Sequence, residues 1–391
     1  MDTLFEQEWV PRGKPGTLVP DEEYFDLKAV EYSGEEWSSS EIRPLRRGAF
    51  RRAVVFGSLY ELERVRKAPE RYLSPWLVVL SPVRLPFPEN AVRETHKNIA
   101  GHDQKDFSVT AAHVMLKDGE LRLYHEADYT VIFAKFTAPI NPDRMLVRLL
   151  ESLRFILAEQ IPVGAVRYVF DDREVIRLIS FGSAPPPATL QRPIISRTRD
   201  EHNLVYTLFT AYFEAFRQSE TEDLHPVARH LWNVIEASAV SFDAFILSLG
   251  IAVEGLVTLC FPEFGKVTNA YLVELNGAIE LVDSAKLSDE VKNRILGSIR
   301  EMRQPRNSDR VRDFIRCYKL NDALLKSWVK LRNASAHGHH FGPDVDNEIV
   351  ADRDRVVFLL YAIFYGYIGY NGMVTNYGEV GWPTVSWPGG C

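Results

Sequence analysis

The chain has 391 residues, enough for two domains, and its 46% apolar and 12% aromatic content can build real cores and excludes wholesale disorder. Its 46 Lys and Arg against 53 Asp and Glu leave a net charge of −7, which excludes a globally basic, histone-like protein. Cys260, Cys317 and Cys391 are too few and too scattered for a disulfide framework or a zinc cage, and point to a reducing, cytoplasmic setting.

The first residues, Met1-Asp-Thr-Leu-Phe-Glu, are acidic and lead into no apolar run, so no secretory signal is expected. In chain order, apolar patterning predicts strands over 52–59, 76–80, 107–116, 121–125 and 130–137. Asp118-Gly119 suits a type I′ turn in a hairpin. A helix is predicted over 142–160, with Pro142 in its first turn and Met145, Leu149, Leu153 and Ile156 at helical spacing. Two further strands, 165–170 and 174–181, flank an Asp171-Asp172 turn. Gly182-Ser-Ala-Pro-Pro-Pro-Ala then ends the β pattern, because three consecutive prolines favour a stiff extended spacer. Beyond it helical periodicity dominates, over 201–220, 226–261, 268–282, 289–303, 310–337 and 346–368.

The stretch from Val356 to Gly378 carries no charge and is long enough to span a bilayer. Its second half is rich in Gly, Asn and Tyr, so a buried or interface helix is expected, in a soluble protein without membrane contact. The expected fold class is α+β: a β-rich N-terminal domain over residues 1–190, then an all-α bundle over residues 195–391.

Several chemistries lack their residues. There is no G-x-x-x-x-G-K-[ST], no G-x-S-x-G, no H-E-x-x-H and no G-x-G-x-x-G after a strand. Asp344-Val-Asp346-Asn347-Glu348 lacks the glycine and distal glutamate of a calcium loop and reads as a helix cap. His96, His102, His113 and His125 have no metal-ligand spacing. No metal and no cofactor is expected.

One constellation remains, Leu331-Arg332-Asn333-Ala334-Ser335-Ala336-His337-Gly338. On a helix at about 100° per residue, Arg332, Asn333 and His337 fall within about 140° of arc, with the small Ala336 between. Such a flank suits a phosphate. Arg332 would neutralise its oxygens, Asn333 would hydrogen-bond it or orient the imidazole, and His337 would move a proton near neutral pH. The alternative is helix C-capping, a common use of Arg, Asn and His.

Between Arg294 and Arg332 there are eleven basic and four acidic residues, Arg303, Arg306, Arg310, Arg312, Lys326 and Lys330 among the former. A cationic stretch in an anionic chain suits a polyphosphate track, with a solvated, ion-paired helical face as the alternative. Histidine and arginine without a metal suit RNA in particular, since the ribose 2′-hydroxyl is a built-in nucleophile. The products would carry a 2′,3′-cyclic phosphate and a 5′-hydroxyl.

The hexad Arg332-Asn333-Ala334-Ser335-Ala336-His337, with Trp328 and Leu331 leading in, resembles the R-[N/D/H]-x-x-x-H motif of the HEPN superfamily, many of whose members are metal-independent ribonucleases. The segment Ile251-Ala-Val-Glu254-Gly-Leu256 resembles that superfamily's acidic helix. A β-rich module before the bundle most resembles ApeA-like HEPN proteins of bacterial anti-phage defence. The resemblance covers about residues 200–370 and implies that Arg332 and His337 are catalytic, Asn333 supporting and Glu254 a further polar member. It also implies a homodimer through the bundle, a target among RNAs with tRNA as a candidate, and abortive cleavage during infection. The N-terminal domain would sense a phage-derived trigger or restrain the nuclease, with Arg43, Arg46, Arg47, Arg51 and Arg52 as its contact surface or as a solvated loop. A carboxylate beside the apolar stripe of 242–259 needs a partner if buried, and Arg332 is the expected one for Glu254. Two other readings stand: a non-catalytic RNA-binding or scaffolding module, and a toxin restrained by a partner.

Overall fold

A computed structural model describes residues 25–30, 34–47, 55–58, 61–68, 75–86, 92–97, 103–108, 111–126, 129–137, 141–170, 172–179, 190–221, 223–336, 341 and 346–388. The fold class is α+β, β-rich first and helical after. The chain divides into two compact units, 1–143 with 161–184, and 144–160 with 185–391.

The first unit holds β1 (Phe25–Val30), β2 (Glu36–Arg47), β3 (Val55–Ser58), β4 (Glu61–Lys67), β5 (Trp76–Ser81), β6 (Val92–Lys97) and β7 (Asp103–Ser108). It continues with β8 (Ala111–Leu116), β9 (Gly119–Glu126) and β10 (Tyr129–Phe136), then β11 (Ala165–Phe170) and β12 (Arg173–Ile179). Ten strands form one antiparallel sheet in the order β1-β2-β4-β12-β11-β5-β10-β9-β8, with β3 on β2, while β6 and β7 pair apart. Alternation sorts the side chains: Leu77, Val79, Leu121, Leu123, Ile132, Ala134 and Val166 are buried on one face. The other carries charge. There the buried Glu174 carboxylate accepts hydrogen bonds from Arg66 Nε (2.5 Å) and Arg167 Nε (2.6 Å), and Arg167 lies over the Trp76 ring. Burial alone would raise the Glu174 pKa, but these two bonds more than offset it and hold it below the usual range.

Two sequence expectations change here. The predicted strand 107–116 belongs to two strands, β7 and β8. The β8–β9 hairpin turns on Lys117-Asp118, because Leu116 already pairs with Gly119, and no residue of the turn has the positive φ of a type I′ geometry. Gly119 is there for space: a Cβ on it would lie 2.3 Å from the Lys135 carbonyl oxygen of β10. Arg43, Arg46 and Arg47 lie on β2, whereas Arg51 and Arg52 lie outside the described residues.

Helix α1 (Pro142–Leu157) was expected in the β domain, yet residues 144–160 group with the helical unit. Its Phe155 stacks on Tyr212 and meets Tyr361, Phe364 and Tyr365, the aromatic centre of that unit. The other helices are α2 (Arg199–Phe216), α3 (Pro226–Val240), α4 (Phe242–Cys260), α5 (Asn269–Ser284) and α6 (Asp289–Met302). Then come α7 (Asn307–Cys317), α8 (Ala323–Ala336) and α9 (Asn347–Tyr367), and a small hairpin of β13 (Met373–Thr375) and β14 (Thr384–Ser386).

Two predicted long helices are broken. Between α3 and α4, Ser241 is extended (φ −163°, ψ 160°) and its hydroxyl accepts from Ala244 N at 3.1 Å, capping α4. Between α7 and α8, Lys319 takes a left-handed conformation (φ 51°) and Leu320 N donates to the Ile315 carbonyl at 2.8 Å, a helix-stop usually built on glycine. Asp346 caps α9, as its place before the helix led us to expect. The uncharged stretch from Val356 is a buried helix, with Val356 through Tyr365 inside the bundle, and it ends at Tyr367. Among the described residues one helix, α4, is long and apolar enough to cross a membrane; in the fold it packs against α3, α7, α8 and α9. Cys260 is a free thiol.

Candidate functional site

Helices α4 and α8 cross where α4 has no side chain. Gly250 is buried, and a Cβ on it would sit 3.6 Å from the Arg332 Cβ; Trp328 Nε1 donates to the Gly250 carbonyl at 3.3 Å. This crossing brings Arg332, near the end of α8, beside Glu254, one turn further along α4. Arg332 Nε donates to Glu254 Oε1 at 2.7 Å, the partnership that the sequence led us to expect.

Glu254 is itself held. Its other oxygen, Oε2, accepts from Asn307 Nδ2 at 3.0 Å, and Thr258, one turn on along α4, donates its hydroxyl to Asn307 Oδ1 at 3.4 Å. The carboxylate is thus gripped from two helices and presents one oxygen to the guanidinium. Arg332 Nη1 donates to Asn333 Oδ1 at 3.4 Å, a weak contact, and Nη2 meets no acceptor among the described residues. The Arg332 side chain is 47% exposed. An ion pair that open to water adds only ~0.5 kcal/mol to stability, so its consequence is orientation. What results is an aimed guanidinium with N–H groups still facing outward, a fit for phosphate oxygens.

Asn307 is the member that sequence reasoning missed. It is the first residue of α7, and Gln304-Pro305 before it marks a helix start, but nothing in the spacing connects it to Glu254. His337 follows the last residue of α8 and lies outside the described residues, as do His339 and His340. Beyond them, Phe341 returns to the start of α4: its N–H donates to Asp243 Oδ1 at 3.0 Å and its ring meets Phe242 edge-on.

The expected cationic track is spread over three helices and partly used up. Arg303 donates to Asn276 Oδ1, and Arg310 donates to the Pro262 carbonyl at 3.1 Å while packing on Gly265. These partners are neutral, so both positive charges remain available. Arg312 is paired with Asp309 at 2.5 Å. Lys330 lies between Glu348 (2.6 Å) and Asp352 (2.8 Å), so its charge is spent within the fold. Arg306 and Lys326 are exposed, with no side-chain acceptor among the described residues. Among those residues, no group of three or more His, Cys, Asp or Glu is placed to hold a metal ion.

A scan against protein-family models, a search of curated proteins and a search of solved structures each found no match to this chain.

Proposed function

We propose that the helical unit is a HEPN-type endoribonuclease that cuts RNA without a metal, acting as a homodimer. The observation that carries this reading is the Arg332 guanidinium, aimed by the Glu254–Asn307 pair and open to solvent five residues before His337. In the proposed step, one His337 takes the proton of the ribose 2′-hydroxyl, whose oxygen attacks the adjacent phosphorus. The bond from phosphorus to the 5′-oxygen then breaks, and a protonated His337 gives that oxygen its proton. Arg332 offsets the charge that builds on the non-bridging oxygens. Arg306, Lys326, Arg303 and Arg310 would steer the strand.

Two motifs facing each other supply one base and one acid, and α4 has a surface suited to that pairing. Leu247 and Ile251 are 45% and 56% exposed and continue the row of Glu254 and Thr258 along one side of the helix. Ile251→Arg should give a monomer in sedimentation and abolish cleavage while leaving the melting temperature within a few degrees. The wider setting proposed is cytoplasmic anti-phage defence by abortive RNA cleavage, with the β-rich unit as sensor or restraint.

The test is cleavage of tRNA and total RNA by the purified full chain, with and without EDTA, beside His337→Ala. Cleavage that survives EDTA and is lost in the variant supports the nuclease. Wild-type cleavage by His337→Ala overturns it, and salt-sensitive binding without cleavage would instead favour an RNA-binding module.

A further inference from the structure

The helical unit holds a second polar recess, away from the Arg332 cluster. A cleft of about 510 Å³ opens between the α7–α8 turn, the middle of α9 and the β13–β14 hairpin. That volume lies within the roughly 300–1,000 Å³ typical of small-molecule sites. Its walls combine three kinds of group. Leu324 and Phe358 give an apolar surface, Lys319 and Arg355 bring positive charge, and Glu379 brings one carboxylate. Trp387 also lines the cleft, and its position is fixed: the ring is 2% exposed, stacked on Tyr318 and edge-on to Tyr365.

The cations are placed in ways that stability alone does not explain. Lys319 is exposed and occupies the left-handed position of the α7–α8 turn, where glycine would sit without strain. Arg355 gives Nη1 to Asp352 (2.9 Å) and also lines the cleft. Glu379 is held by Asn376 Nδ2 at 3.1 Å and can accept from a hydroxyl or amine. One anion for Lys319 and Arg355, hydroxyl donors for Glu379 and a flat body for Leu324 and Phe358 describe a single ligand class. We propose that this cleft binds a mononucleotide, with its phosphate on Lys319 and Arg355. This site is independent of whether the α8 motif cuts RNA.

Calorimetry on the full chain with AMP, GMP, CMP, UMP and inorganic phosphate tests this. At least one mononucleotide should bind with a Kd of roughly 10–100 µM, and phosphate alone at least about tenfold more weakly. Arg355→Gln keeps most of the side chain and removes its charge; Lys319→Gly keeps the turn and removes the charge. Each should weaken binding about tenfold. Lys319→Gly should also melt no lower than the parent, so its loss of binding is not unfolding. The proposal is overturned if no mononucleotide binds at about 1 mM, if phosphate binds as well as the nucleotides, or if both variants bind like the parent. Affinity that survives both variants but is lost in Arg332→Ala would overturn it too.

Discussion

A guanidinium that is to hold a phosphate must be aimed before the phosphate arrives, and Glu254 does the aiming here. Its carboxylate spends one oxygen on Asn307 and the other on Arg332. Glu254→Ala should therefore lower kcat by about 10–100-fold through loss of orientation while shifting stability by no more than ~1 kcal/mol. Asn307→Ala should do the same more weakly, since it acts through Glu254. Steady-state cleavage assays beside thermal melts separate the two effects, and a large drop in melting temperature with unchanged kcat would make the cluster structural. Part of this was legible in the sequence. A glutamate flanked by Gly250 and Gly255 in an apolar helix announces a close helix crossing and a carboxylate that needs a partner. Asn307 was not legible, because it reaches Glu254 from 53 positions away, with no periodicity to connect them.

Elements reveal where pattern reading stops. The helical periodicity of 226–261 and 310–337 is real, but periodicity does not see a single extended serine or one left-handed lysine, so it runs on across both breaks. Lys319→Gly should stabilise the bundle by about 1 kcal/mol by relieving that conformation, measurable by urea unfolding. Strand β4, Glu-Leu-Glu-Arg-Val-Arg-Lys, escaped notice because its polar residues pair across the sheet, Arg66 with Glu174 and Glu63 with Arg177. The seam of α8 and α9 carries its own pH dependence. Burial would raise the Asp352 pKa, but hydrogen bonds from Lys330 and Ser327 outweigh it and hold the carboxyl below its ordinary 3.8. A lowered folded pKa adds stability above the unfolded value and loses it as pH falls through the folded one. The bundle should thus weaken below about pH 4, and Asp352→Asn should flatten that acid limb in unfolding curves.

At the scale of the whole molecule, the division between β and helical halves was visible in the proline run, while the place of α1 was not. An amphipathic helix shows which face is buried, never against what. Phe155 settles it by joining the aromatic core of the helical unit, and Arg148 fastens the same helix. That guanidinium is fully buried, paired with Glu151, and donates to the Thr221 and Asp223 carbonyls at 2.7 and 2.6 Å. Arg148→Ala leaves Glu151 buried without its ion-pair partner, with the His225 N–H (2.6 Å) still donating to it, and should cost about 3–5 kcal/mol, so the helical unit expressed without residues 144–160 should not fold stably.

The claim on which the functional account rests is that the attacking oxygen belongs to the RNA itself. Once a cleavage site is mapped, a substrate carrying a single 2′-deoxynucleotide on the 5′ side of that bond tests it directly. The account predicts that cutting there stops while neighbouring sites are still cut, and that the normal product ends in a 2′,3′-cyclic phosphate. Undiminished cutting at the deoxy position would contradict it.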